Sequence, residues 1–207
     1  MCGIVGYSGE SSASARAQFI RLCDEARIRG EHAYGIAYYE EGKGVVCAKG
    51  TDFDVIMQFI PTLMPARIIF HARYSTSGDY RDMLNNQPIV IDGDALVFNG
   101  TVDMGTKTEM EQRNGLTMQT DNDGELVLRD IQEGYPFRRL SDNLVTFAGI
   151  VLRGNGEMFA LRNPMRPLWR FEVSGGTFLA STQDIALRAK LETISSSPIT
   201  PMEKVCL

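Results

Sequence analysis

The chain opens "MCGIVGYSG", with a cysteine at position 2 beside a glycine and a short apolar run. Removal of Met1, which a small side chain at position 2 permits, leaves Cys2 as the first residue, with a thiol and a free α-amine on the same residue. A thiol attacks well only as the thiolate, whose ordinary pKa lies near 8.5, whereas an α-amine titrates at about 7.7 to 8. One residue then supplies both a nucleophile and a proton shuttle, work that other enzymes divide between a Ser or Cys and a separate base. The competing reading is a small core residue at the start of an N-terminal strand.

The remaining cysteines, Cys23, Cys47 and Cys206, stand far apart with no CxxC spacing, and only His32 and His71 could join them as ligands. No metal site is expected, and these three thiols read as small buried hydrophobes. The net charge of −5, with Lys and Arg scattered among acids, leaves no basic stripe for a nucleic-acid backbone. No run approaches a membrane span, and no signal peptide is visible, so a cytoplasmic protein with no membrane partner is expected.

The elements that must position Cys2 follow from periodicity. Phe19, Leu22, Cys23 and Ala26 fall at i, i+3, i+4, i+7 in a helix that stops at Gly30. "YGIAYYEEGKGVVCAKG" reads as a hairpin, and Asp52 caps a helix carrying Phe53, Ile56, Met57 and Ile60 that breaks at Pro61. "RIIFHAR" is a strand, and "PIVIDGDALVFNG" a hairpin turning at Asp92-Gly93. Residues 101 to 118 predict a loop or short helix. Thr120 or Asp121 starts a helix that ends near Gly134. Four strands follow, and Thr182 caps a last helix with Leu187, Leu191 and Ile194 on one face. Helices and hairpins interleave without β-α-β alternation or a Gly-rich phosphate loop, which predicts an α+β fold with largely antiparallel sheets. With 43% hydrophobic residues in 207, a substantial single core is affordable, and one domain over residues 1–207 is expected.

Seven segments, "MCGIVGYSG", "RGEHAYGIA", "HARYSTSGD", "VFNGTV", "TDNDGELVL", "NPMRPLW" and "FLASTQDIAL", occur in an order and spacing that resemble the class II glutamine amidotransferases. The resemblance spans almost the whole chain. It implies a four-layer αββα sandwich of the N-terminal-nucleophile hydrolase type and an activity that hydrolyses the side-chain amide of L-glutamine through a Cys2 thioester. It implies no cofactor. By this resemblance Arg73 grips the substrate α-carboxylate, where a surface salt bridge is the alternative. Asp121 receives the ammonium, a role compatible with a helix N-cap. Asn99 and Gly100 form the oxyanion hole, although Asn-Gly alone would suggest a hairpin turn. Ser75, Thr76 and Gly78 complete the glutamine pocket. Arg29 supports the nucleophile, and His71, two residues before Arg73 on the same strand face, is a structural or supporting histidine.

The chain departs from the family pattern at several positions. His32 stands where an aspartate is usual and Tyr34 where a small residue is. Tyr74 replaces Trp, Ser77 replaces His, and Gln87 replaces a His before proline. Family members spend the ammonia in a second domain, for which this sequence leaves no room, so a separate ammonia-accepting synthase or transferase subunit is expected. Homo-oligomerisation stays open. Two other readings also stay open: a hydrolase of another linear amide or γ-glutamyl bond, and a glutamine-binding subunit without turnover.

Overall fold

The computed structural model describes residues 1–75 and 78–207; Thr76 lies outside them. In chain order the elements are β1 (Gly3–Gly9), α1 (Ala13–Arg27), β2 (Ala33–Glu40), β3 (Gly44–Gly50), α2 (Phe53–Gln58), β4 (Arg67–Arg73), β5 (Ile89–Ile91), β6 (Asp94–Thr101) and α3 (Lys107–Asn114). They continue with α4 (Gly124–Gln132), β7 (Thr146–Leu152), β8 (Met158–Arg162), β9 (Trp169–Val173), β10 (Gly176–Ala180), α5 (Gln183–Arg188), β11 (Ser195–Pro198) and β12 (Val205–Cys206). Two sheets form, one ordered β11-β9-β10-β1-β4-β2-β3 and the other β12-β8-β7-β6-β5. Every described strand pairing is antiparallel.

Strand alternation stacks these sheets into four layers. Val5, Ile68 and Phe70 of the larger sheet point outward and pack with Phe19, Leu22 and Cys23 of α1, Ile56 of α2 and Ile185 of α5. Their neighbours Ile4 and Ile69 point inward and meet Val97 and Ile150 of the smaller sheet. On that sheet's far side Leu96, Phe98 and Phe147 pack with Val127 and Ile131 of α4. The order helix, sheet, sheet, helix is the expected αββα sandwich. Fully buried side chains such as Phe19 and Leu22 each contribute about 1.5–3 kcal/mol through burial, which outweighs the modest propensity of any one helix.

Local signals hold where the sequence supplies a cap. Ser12 accepts from Ala15 N, and Asp52 Oδ1 accepts from Val55 N at 3.1 Å. The polar stretch after residue 101 contains a helix, α3, closed by a Thr106–Glu109 capping box and ended by Gly115 in the left-handed region.

Three expectations are corrected, and the alternative reading of Asn99-Gly100 as a turn is set aside. α4 begins after Asp123 rather than at Thr120 or Asp121, because Thr120 and Asn122 bond to each other in the turn that precedes it. α5 stops at Arg188, with Lys190 at a φ of 52°, so its buried face is Ile185 and Ala186; Leu187 and Ile194 are 70% and 76% exposed. Cys206 lies exposed on the short edge strand β12, and Cys47 is only half-buried. Asn99 and Gly100 lie within β6, paired with Ala148 and Phe147 of β7, and the hairpin turn sits upstream between β5 and β6.

Candidate active site

Cys2 immediately precedes β1, which runs between β10 and β4 near the middle of the larger sheet. Gly3 is required beside it, because a Cβ there would lie 2.2 Å from the Ala26 carbonyl oxygen of α1. The last turn of α1 therefore packs directly on the strand that delivers the cysteine. Three contacts fix Cys2: its backbone nitrogen donates to Asn99 Oδ1 at 3.1 Å, its carbonyl accepts from Arg29 Nε at 3.1 Å, and its Sγ donates to the Tyr74 carbonyl at 3.7 Å. The nitrogen that would become the α-amine is thus already held. Burial pushes the Cys2 thiol above its ordinary value, opposed by its bond to Tyr74 and by the positive N-terminus, Arg73 and Arg29.

Asn99 reaches Cys2 from the other sheet. Its side-chain oxygen is engaged, while Nδ2 is buried with no partner among the described residues. An unmade bond of that kind costs about 1–3 kcal/mol, so an orphaned donor on the side chain that holds the Cys2 nitrogen calls for a ligand or a catalytic use. Gly100 follows at a φ of 154°, where a Cβ would stand 1.9 Å from the Thr146 carbonyl oxygen. No other residue fits there.

The segment leading to Asn99 is gripped where β5 has ended. Phe98 lies two residues beyond Leu96, which pairs with β5, and side chains take over its peptide bonds. Phe98 N donates to Gln87 Oε1 at 2.6 Å, and His71 Nε2 lies 3.2 Å from Phe98 O. His71 is fully buried and bridges the two sheets, and burial together with Arg73 lowers its pKa to about 3. It is therefore a neutral imidazole that donates from Nε2.

Arg73 is 3% exposed, which rules out the surface salt bridge. Its Nη1 donates to Asn86 Oδ1 at 2.5 Å, and its Nη2 reaches the Gly78 carbonyl at 3.4 Å. Burial lowers the guanidinium pKa, which for arginine still leaves a permanent cation. Ser75 Oγ donates to the same Gly78 carbonyl at 3.0 Å, and Ser75 N donates to His32 Nδ1 at 2.9 Å.

Two acidic residues lie nearby. Asp121 exchanges bonds with Asn85, its N donating to Asn85 Oδ1 at 2.8 Å and its Oδ2 accepting from Asn85 Nδ2 at 3.3 Å. Asp123 Oδ2 accepts from Val102 N at 2.6 Å and Asp103 N at 3.0 Å, which pins the chain just past Gly100. Burial raises the Asp123 pKa against those two bonds.

These residues surround two cavities. A crevice of about 20 Å³ is lined by Cys2, Arg73, Gly100 and Asp123, among others. A cleft of about 590 Å³ is lined by Gly78 and Asp121 together with the 101–108 segment. Cys2, Arg73 and Gly100 therefore meet in one place with Asn99 beside them, whereas Asp121 borders the larger cleft. Among the described residues no group of three or more His, Cys, Asp or Glu is placed to hold a metal ion. None of their helices is long and apolar enough to cross a membrane.

Sequence reasoning missed Asn85, Asn86 and Asp123. Asn-Asn before Gln-Pro looks like turn composition, and the only local hint of more is two adjacent amides that are both buried. Asp123 was hidden behind Asp121 in the same segment.

No protein-family model matches the chain. It is similar to amidophosphoribosyltransferase of Methanothermobacter thermautotrophicus, 27% identical over 89% of this chain and 42% of that protein. It is also similar to the isomerizing glutamine–fructose-6-phosphate aminotransferase of Bacillus licheniformis, 29% identical over 64% of this chain and 22% of that protein. The chain spans less than half the length of these curated relatives. Its structure resembles the glutamine phosphoribosylpyrophosphate amidotransferase of B. subtilis, with a TM-score of 0.76 at 20% identity over 99% of this chain and 47% of that one. A glutamine aminotransferase class-II domain protein from Silicibacter pomeroyi aligns with a TM-score of 0.55 at 10% identity, over 97% of this chain and 92% of that one.

Proposed function

We infer that this chain, a class II glutamine amidotransferase domain in fold and sequence likeness, hydrolyses the side-chain amide of L-glutamine with Cys2 as nucleophile. The observation that carries the reading is the Asn99 side chain. Its oxygen holds the nitrogen of Cys2 at 3.1 Å, and its nitrogen is buried with no partner among the described residues.

With Met1 removed, the neutral α-amine takes the thiol proton as Sγ attacks the amide carbonyl carbon. Negative charge develops on the carbonyl oxygen, and Asn99 Nδ2 and the Gly100 N–H are the donors for it. The ammonium formed at Cys2 returns its proton to the leaving nitrogen, the C–N bond breaks, and ammonia departs from a thioester. Water adds to that thioester with the amine again as base, releasing glutamate and restoring the thiol. Arg73 offers a guanidinium fork for the substrate α-carboxylate, and Asp121 and Ser75 serve its ammonium end. Arg29 steadies the Cys2 carbonyl, and His71 holds the peptide that carries Asn99.

Residues 1–207 act together as this glutaminase unit. The names of the relatives add a transfer step, so we assign the released ammonia to an acceptor.

The test is ammonia and glutamate release from purified protein whose intact mass shows the free Cys2 terminus, with asparagine and γ-glutamyl peptides as competitors. Cys2→Ala must abolish release. Equal turnover of γ-glutamyl peptides would move the substrate class, and glutamine binding without release would leave a non-catalytic subunit.

A further inference from the structure

His32 occupies the turn between α1 and β2, and its ring lies between two tyrosines. Its centroid is 5.0 Å from Tyr74 at 28° and 5.1 Å from Tyr80 at 20°. Its backbone N donates to the Arg73 carbonyl at 3.0 Å, and its Nδ1 accepts from Ser75 N at 2.9 Å. One ring therefore orders the residues on either side of the Arg73–Ser75 segment, which carries the pocket guanidinium, the carbonyl that receives the Cys2 thiol, and the Ser75 hydroxyl. The Ser75 bond requires a bare Nδ1, so the imidazole must be neutral with its proton on Nε2.

We propose that His32 is a positioning residue for the glutamine pocket: its bare Nδ1 and its stacked ring hold Ser75 and Tyr74 in place beside Cys2. This rests on the glutaminase reading for its consequence, though not for its geometry. A side chain with no ring and no acceptor at the Nδ1 position leaves the Ser75 N–H without its bond and Tyr74 without its stack.

Two readouts test the proposal. The chain has only two histidines, so imidazole ¹⁵N NMR can assign both rings, and His32 should be the Nε2–H tautomer with its Nδ1 accepting from the Ser75 amide. In kinetics, His32→Ala should raise KM for glutamine about tenfold, the scale of one hydrogen bond lost and one donor stranded. His32→Asn places Oδ1 where Nδ1 was, so it should restore a KM near that of wild type. An Nδ1–H tautomer, an unchanged KM in His32→Ala, or equal KM values in His32→Ala and His32→Asn would each overturn the proposal. If wild type releases no ammonia while the Ser75–His32 bond is seen by NMR, it is the glutaminase reading that fails, and the clamp stands.

Discussion

Asn99→Ala separates chemistry from stability in a way the geometry quantifies. The substitution removes two things: the acceptor for Cys2 N at 3.1 Å and a buried Nδ2 with no partner among the described residues. Losing the acceptor strands the part-buried Cys2 nitrogen, a cost of about 1–3 kcal/mol. Losing the stranded donor returns about 1–3 kcal/mol of desolvation that the folded state now bears. The two nearly cancel, so the melting temperature should stay within a few degrees of wild type, or rise. The transition state has no such compensation. An oxyanion donor is worth about 10² to 10³ in kcat, and KM should hardly move because the ground-state carbonyl does not need it. The assay is glutamate release at saturating glutamine, with differential scanning calorimetry on the same preparation. A kcat within tenfold of wild type would refute the oxyanion role of Nδ2, and a collapse in melting temperature would make Asn99 structural.

Other expectations follow from the surroundings of Cys2 and the sheets. Because burial holds the Cys2 thiol above its ordinary value, glutamine turnover should climb from neutral to alkaline pH, and iodoacetamide labelling of Cys2 should climb with it. Protein that retains Met1 should have its thiol intact yet release ammonia at least a hundredfold more slowly, checked by intact mass beside activity. His71 has a folded pKa of about 3 against 6.5 for the free side chain. The stability it contributes is therefore complete above pH 6.5 and drains away as the pH falls toward 3, where the unfolded chain takes up a proton that the fold refuses. Urea midpoints of wild type should drop between pH 7 and pH 4.5 more than those of His71→Gln, although the variant is the less stable protein at pH 7. Gly3→Ala should destabilise by about 1–3 kcal/mol or more, through the 2.2 Å clash with Ala26 O, with Ser8→Ala as a control near zero.

Much of this was legible from the sequence where interactions are local. α1 was visible because Phe19, Leu22, Cys23 and Ala26 repeat at helical spacing and all four are fully buried. α2 was visible because Asp52 is a cap three residues ahead of the amide it binds. The limits of α4 and α5 were not visible, because a Thr120–Asn122 turn, the distant bonds of Asp123 and a left-handed residue set them, none of which hydrophobic periodicity records. Asp123 spends its carboxylate on Val102 and Asp103, some twenty residues back, and a left-handed Lys190 ends what Leu191 and Ile194 would have continued. The site divides in the same way. Cys2 announces itself by chemistry and position. Asn99-Gly100, read without its neighbours, describes a turn, and only pairing with β7 places it inside a strand. The roles of Gln87 and His71 at the Phe98 peptide depend on where β5 stops, which no spacing along the chain encodes.

The Cys2 sulfur, the nucleophile we propose, sits just before a strand of one sheet, and the donors we propose for the negative charge belong to the other. Their alignment is therefore not a property of either sheet alone: it depends on the Cys2–Asn99 and His71–Phe98 bonds between the sheets and on the buried layer of Ile4, Ile69, Val97 and Ile150 behind them. On the proposed mechanism, a methyl group lost there should shift one half of the reaction against the other, so aliphatic side chains remote from the polar groups of the site would set how far it can be disturbed.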